Sequence, residues 1–401
     1  MFGALLKNPL PEISFDNTEV AFADKSDADL RRALWLFRFI GNPALVKFSA
    51  PFVTGALKAG LPVKGIVRNT VFRHFCGGEN INECDHAIAK LWKSHIGTIL
   101  DFSVEGQELE LDFENTCNEI LLTIDKAAGN ERIPFSVFKM TGIARLALLE
   151  KINSAKQLSA EEEKEFGNIK KRVEKICSRA FEKNVPVFID AEETWIQSGL
   201  DGLALEMMMR FNKEKAIVFN TVQLYRTDRL PYLEKMIAHA RAEKYVAAYK
   251  LVRGAYHEKE TQRAVEMEYK IPVHQNKSKT DNDYNKAQQL CVENIDRVSF
   301  CSGTHNEESC RQLVSLMEEK NIPLNHPHIW FAQLYGMSDH ISYNLSRAGY
   351  NVAKYVPYGK IESVLPYLIR RAQENKSVAG QSSRELSLIM MELKRRKEFS
   401  A

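Results

Sequence analysis

Eight short β-rich runs punctuate the chain, and the stretches between them have helical character. The runs are GTILDFSV (97–104), PFSVFKMT (134–141), VPVFIDAE (185–192), AIVFNTVQ (216–223), VAAYKLVRGA (246–255), VSFCSGTHN (298–306), IWFAQLYG (329–336) and NVAKYVPYG (351–359). Each carries little charge until its C-terminal end. Continuous apolar strands of this kind are buried on both faces, which implies parallel pairing under a cover of helices. Eight such units within about 270 residues match an α/β fold of the (β/α)8 TIM-barrel type. A doubly wound open sheet is the competing architecture, but it gives no reason for the count to stop at eight.

The intervening segments agree with this reading. Residues 161–183 carry apolar positions at helical spacing on a heavily charged background, and 305–320 open on a cap-forming Asn306 followed by two acids. Residues 257–295 are long and polar, and are expected to form an extended, mobile loop beside the active site. Ahead of the first strand, 27–41 and 81–95 read as helices. The expected organisation is an N-terminal helical arm over 1–95, a catalytic barrel over 96–376 and a C-terminal helical tail over 377–401.

Composition removes several classes of function. Fifty-five basic against 52 acidic residues leave a net charge of +3, too little for a nucleic-acid binder. The seven cysteines are scattered without a CxxC pair or His/Cys ligand spacing, so buried thiols are expected and a metal site is not. The first residues lack the pattern of a signal or transit peptide, and no apolar run reaches the ~18 residues of a membrane span. A cytoplasmic protein is expected.

In a barrel of this type, chemistry gathers at the C-terminal strand ends. The polar residues there are Asp101 and Glu105, Lys139, Asp190, Gln223, Lys250 and Arg253, Thr304, His305 and Asn306, Gln333, and Lys354 and Tyr355. Each has an ordinary alternative. A strand-end lysine commonly faces solvent, a doublet such as Arg370–Arg371 commonly marks a solvated helix face, and a lone His305 is commonly structural. Their convergence on one face of one barrel favours a site instead. Lys139, Arg253, Arg370 and Arg371 could surround an anion there, with Asp190, Glu105 and Glu374 balancing the charge.

Several of these residues lie in segments that resemble the proline dehydrogenase family, stand-alone type. The segments are SVEG (103–106), DAEE (190–193), KLVRGAYHE (250–258), THN (304–306), FAQLYGM (331–337) and KYVPYGKIESVLPYLIRRAQEN (354–375). The resemblance spans roughly residues 40–376, and these motifs keep the family's order and spacing.

The resemblance implies oxidation of L-proline to Δ1-pyrroline-5-carboxylate by hydride transfer to N5 of a non-covalently bound FAD. It also implies onward passage of electrons to a membrane quinone. On that resemblance, Gln223, Lys250, Arg253, Gly254, Ala255, Thr304, His305, Asn306 and Glu374 would contact the FAD. Arg370 and Arg371 would clamp the proline carboxylate, with Lys139 adding charge beneath and Asp190 fixing the cationic cluster. Tyr256, Leu334 and Tyr355 would wall the ring, Tyr355 disfavouring 4-hydroxyproline, and Glu105 would pair with Arg370 as a gate. No aldehyde dehydrogenase domain fits in this length, so a separate pyrroline-5-carboxylate dehydrogenase would consume the product. Membrane contact would be peripheral, on the inner face, through the arm or the segment 384–400. A hydroxyproline-oxidising enzyme and a catalytically dead binding barrel are the alternatives.

Overall fold

The computed structural model describes residues 13–42, 45, 51–53, 55–56, 59, 61–103, 107–377 and 381–399, with the side chains of 372–377 and 381–383 excepted. Its centre is a closed parallel barrel whose strand order follows the sequence. The strands are β1 (Gly97–Phe102), β2 (Phe135–Lys139), β3 (Val187–Asp190), β4 (Val218–Gln223), β5 (Ala247–Val252), β6 (Val298–Gly303), β7 (Ile329–Leu334) and β8 (Val352–Tyr358). Each falls inside one of the eight runs.

Closure is made by β1 against β8, with Ile99 opposite Tyr355 and Asp101 opposite Pro357. Because side chains alternate along a strand, every second residue enters the barrel. Ile99, Phe135, Val137, Phe188, Phe219, Ala248, Cys301, Ala332 and Ala353 fill the interior, with Tyr355 above them. Phe135 and Phe188 stack at 4.5 Å between centroids, and Phe219 meets both edge-on. The barrel floor is therefore solid, and only its C-terminal end can hold a ligand.

Helices α1 (Asp27–Ile40) and α2 (Asp85–Trp92) precede β1, and α3 (Glu110–Ala127) follows it. Next come α4 (Ala160–Lys183), α5 (Thr194–Phe211), α6 (Arg229–Ala242), α7 (His257–Glu266), α8 (Lys277–Glu293), α9 (Glu307–Glu319) and α10 (Asp339–Arg347). Helices α11 (Ile361–Ser377) and α12 (Gln381–Phe399) end the chain. Ser26 and Ser159 close capping boxes at α1 and α4, and Asn306 caps α9 as its sequence position suggested.

The segment 257–295 differs from expectation, since it is mostly the two helices α7 and α8 rather than an open loop. Its apolar residues are few, but Thr280, Tyr284, Ala287, Gln288 and Cys291 lie on one face of α8 and are buried. All seven cysteines are free and buried. Among the described residues no helix is long and apolar enough to cross a membrane, and no cluster of side chains is suited to a metal ion.

Candidate active site

Strand parity decides which strand-end residues reach the barrel mouth. Asp101 lies two residues beyond Ile99, Lys139 two beyond Val137, Asp190 two beyond Phe188 and Lys250 two beyond Ala248, so all four point inward with Tyr355. They form one connected layer. Lys139 Nζ donates to both oxygens of Asp101 at 2.7 and 2.8 Å and stands 3.7 Å from Asp190. Asp190 in turn accepts from Lys250, whose ammonium also donates to the Tyr355 hydroxyl at 2.8 Å. The Lys250 ammonium sits 4.7 Å above the Tyr355 ring and 5.6 Å from that of Phe188. Two carboxylates and two ammoniums thus alternate across β1, β2, β3 and β5, which is how buried charge is tolerated.

Burial opposes ionisation of Asp101, but the Lys139 ammonium outweighs it and holds the carboxyl below its ordinary range. Burial, then the neighbouring Asp190, keeps the Tyr355 hydroxyl protonated. Leu334 pairs in register with Tyr355 and packs on the interior cluster.

A second cluster occupies the ends of β5 and β6. Arg253 reaches Asp281 of α8 at 2.6 Å, the Thr304 hydroxyl at 2.5 Å and the Ser309 hydroxyl at 2.8 Å, with its guanidinium over the Tyr284 ring. Thr304 Oγ1 also accepts the Asn306 backbone N–H, and Asn306 Oδ1 accepts that of Ser309. His305 Nδ1 and Ser338 Oγ are 2.9 Å apart. Burial, followed by the charges of Lys354 and Arg371, pushes the His305 imidazole down to about 3, so it is neutral at ordinary pH.

Gln223 donates to the Glu192 carbonyl at 2.6 Å, while its own Oε1 is buried with no partner among the described residues. Gly254 has φ +119°, and a Cβ there would stand 2.4 Å from the Tyr225 ring, so the backbone beyond β5 is necessarily bare. Ala255 is exposed, and Tyr256 stands half-buried at the start of α7.

Helix α11 carries Arg370 and Arg371. Arg371 is buried with its guanidinium 5.1 Å from the Tyr367 ring, and Arg370 is half-buried. Glu374 lies on the same helix, among the residues whose side chains are not described, and Glu105 lies outside the described residues.

Two strand-end residues turn the other way. Lys354 follows inward-facing Ala353, so it points out of the barrel, where it donates to Asp339 at 2.7 Å. Gln333 points outward as well and is consumed by Thr304 and Ser342.

Two acids carry more of the site than their sequence positions suggested. Asp101 was visible as a strand-end charge, but its pairing with Lys139 follows only from barrel closure. Glu192 accepts the Thr141 backbone N–H at 3.0 Å and the Thr141 hydroxyl, which ties the turn after Lys139 to the end of β3. Burial raises its carboxyl to about 7.

The family model described as Proline dehydrogenase matches residues 84–384, three quarters of the chain. The chain belongs to the proline dehydrogenase family. It is accordingly an oxidoreductase. Its sequence is 32 % identical over 322 residues to the carbapenem antibiotics biosynthesis protein CarD of Pectobacterium carotovorum, covering 80 % of this chain and 83 % of that protein. Mitochondrial proline dehydrogenase 1 of Arabidopsis thaliana is 31 % identical over 377 residues, covering 83 % and 76 %. Among solved structures, proline utilization A from Bdellovibrio bacteriovorus inactivated by N-propargylglycine superposes with a TM-score of 0.70 at 22 % identity. That match supports the fold. It covers 91 % of this chain, which spans only about a third (37 %) of that much longer protein.

Proposed function

We propose that this proline dehydrogenase-family protein oxidises L-proline to Δ1-pyrroline-5-carboxylate at the C-terminal mouth of its barrel, with non-covalent FAD as the immediate acceptor. The inward layer joining Asp101, Lys139, Asp190, Lys250 and Tyr355 carries the reading. It is a pre-organised charged platform directly above an apolar floor.

The residues around β4–β6 fit the cofactor. Gly254 leaves its own backbone bare, Gln223 Oε1 is a buried acceptor with nothing to accept among the described residues, and Arg253, Thr304, His305 and Asn306 form a polar shelf suited to ribityl and phosphate oxygens. These residues, with Lys250, Ala255 and Glu374, would hold FAD, which when bound supplies the two-electron acceptor at N5.

The protein's own part is binding, orientation and charge. Arg370 and Arg371, whose forked donors suit a carboxylate, would clamp that of the substrate, with Lys139, held by Asp101, adding positive charge beneath. Those cations also raise the cost of a protonated amine, so proline binds with its nitrogen lone pair free to assist C–H cleavage. Tyr256, Leu334 and Tyr355 would hold the ring so that the carbon beside nitrogen is presented to the acceptor. Tyr355 is fixed by Lys250 and would crowd a ring hydroxyl, which favours proline over 4-hydroxyproline. Glu105 would pair with Arg370 across the entrance. A membrane quinone would take the electrons during a peripheral encounter at the inner face, and a separate pyrroline-5-carboxylate dehydrogenase would remove the product.

Arg370→Met and Arg371→Met test this reading. A charged hydrogen bond contributes ~1.5–3 kcal/mol, so each should raise KM for proline by about tenfold or more in steady-state assays with a soluble dye. An unchanged KM in both variants contradicts the carboxylate clamp.

A further inference from the structure

Between residues 31 and 75 the chain carries eight Lys or Arg and no Asp or Glu, while the whole protein is nearly neutral. The same segment exposes Trp35 (57 %), Leu45, Phe52, Leu61 and Ile66, five large apolar side chains. The two features coincide on α1. Arg31, Trp35 and Arg38 are four and three residues apart, so they share one stripe of the helix, and all three are exposed. The opposite face, with Leu30, Phe37 and Ile40, is buried. Trp35 stacks on Phe39 at 5.6 Å, which holds the indole outward.

Some of these cations have acidic neighbours. Arg31 is 3.8 Å from Asp27 and Arg32 is 3.4 Å from Asp29, while Lys64 and Arg68 approach Glu79, with Glu362 and Glu83 beside them. Arg38 and Arg73 make no ion pair among the described residues. Beneath this face a cavity of about 900 Å³ opens between the arm and the barrel, and Arg32, Trp35, Arg68 and Arg73 stand on its wall.

From this stripe we infer that the outer face of α1 and the adjoining segment near Ile66 dock on an anionic lipid bilayer. A tryptophan flanked by arginines on one helical stripe places the indole at headgroup level and the guanidiniums on lipid phosphates. An acid-free basic segment is drawn to a negatively charged leaflet. A second copy of this chain is a poor occupant, because Arg31 and Arg38 would face their own images.

Helix α12, the other amphipathic candidate, is already committed internally. Leu388 and Ile389 are buried, and Arg395 and Arg396 are paired with the fully buried Glu392. The inference deepens the proposed delivery of electrons to a membrane quinone and rests on that reading for its purpose.

Co-sedimentation of the holoenzyme with phosphatidylcholine vesicles, with and without phosphatidylglycerol, tests it. The protein should pellet only with the anionic vesicles, and salt should release it. The triple variant Arg31→Gln/Trp35→Ser/Arg38→Gln should bind at least tenfold more weakly, whereas Met390→Ser/Met391→Ser should bind as the parent does. Proline-dependent reduction of a soluble dye should be the same in all three proteins. Failure of the parent to bind anionic vesicles, undiminished binding by the triple variant, or dissociation of a dimer by those substitutions would overturn the inference. Loss of dye reduction in the parent would instead refute the proposed activity and leave the vesicle result to be judged separately.

Discussion

Glu192 illustrates how much of the site depends on single side chains that look unremarkable in a strand-end motif. Its carboxyl is buried between the turn after Lys139 and the end of β3, and that burial raises it from an ordinary 4.5 to about 7. Below about pH 4.5 both folded and unfolded states hold the proton and its contribution is fully present. As pH rises toward 7 the unfolded chain releases the proton first, so stability is lost over that interval. The urea midpoint should therefore fall between about pH 5 and about pH 7.5 in the parent. In Glu192→Gln that fall should be clearly smaller, and an identical pH profile would contradict the assignment. The sequence exposed the chemical types here but not the partners. Asp101, Lys139 and Asp190 could be recognised as polar residues at the ends of apolar strands, whereas which acid meets which lysine depends on closure of β1 on β8. Lys354 looked equivalent to Tyr355, yet one step of strand parity sends it outside the barrel to Asp339.

At the scale of elements, the strands were legible because a parallel strand buried on both faces has few alternatives to a continuous apolar run. All eight fall where the β-rich runs lie. The segment 257–295 was harder to read, because α7 and α8 cover the barrel with narrow buried stripes and their remaining faces are polar, which resembles loop composition. The turn between β5 and α7 gives a sharp test. At Gly254 any Cβ would collide with the Tyr225 ring, and φ +119° is a region that side chains rarely adopt. Gly254→Ala should lower the melting temperature by several degrees and reduce the FAD retained on purification. Parent-like values of both would show that the turn relaxes freely and is not part of a shaped cradle.

Across the whole molecule, the arm, the barrel and the last helix are joined by a few buried polar links. Asp339 at the start of α10 holds Lys354 of β8 on one oxygen and Lys25, just before α1, on the other. Burial opposes its charge, yet these two ammoniums hold it far below the ordinary carboxylate range. Glu392 of α12 binds Thr18, Arg395 and Arg396 while fully buried. The sequence suggested helices in both terminal segments but gave no pairing between them, since contacts separated by some 370 residues leave no periodic signature. Removing residues 381–401 should uncover apolar surface where Leu388 and Ile389 now pack, and lower the melting temperature by several degrees. An unchanged melting temperature would mean that α12 is only loosely attached.

The most direct measurement is the visible spectrum of the purified protein before and after anaerobic addition of L-proline. A barrel mouth that binds FAD and orients proline against it should show a flavin band that proline bleaches. A folded, FAD-loaded protein whose band stays intact in excess proline would contradict the proposed reaction.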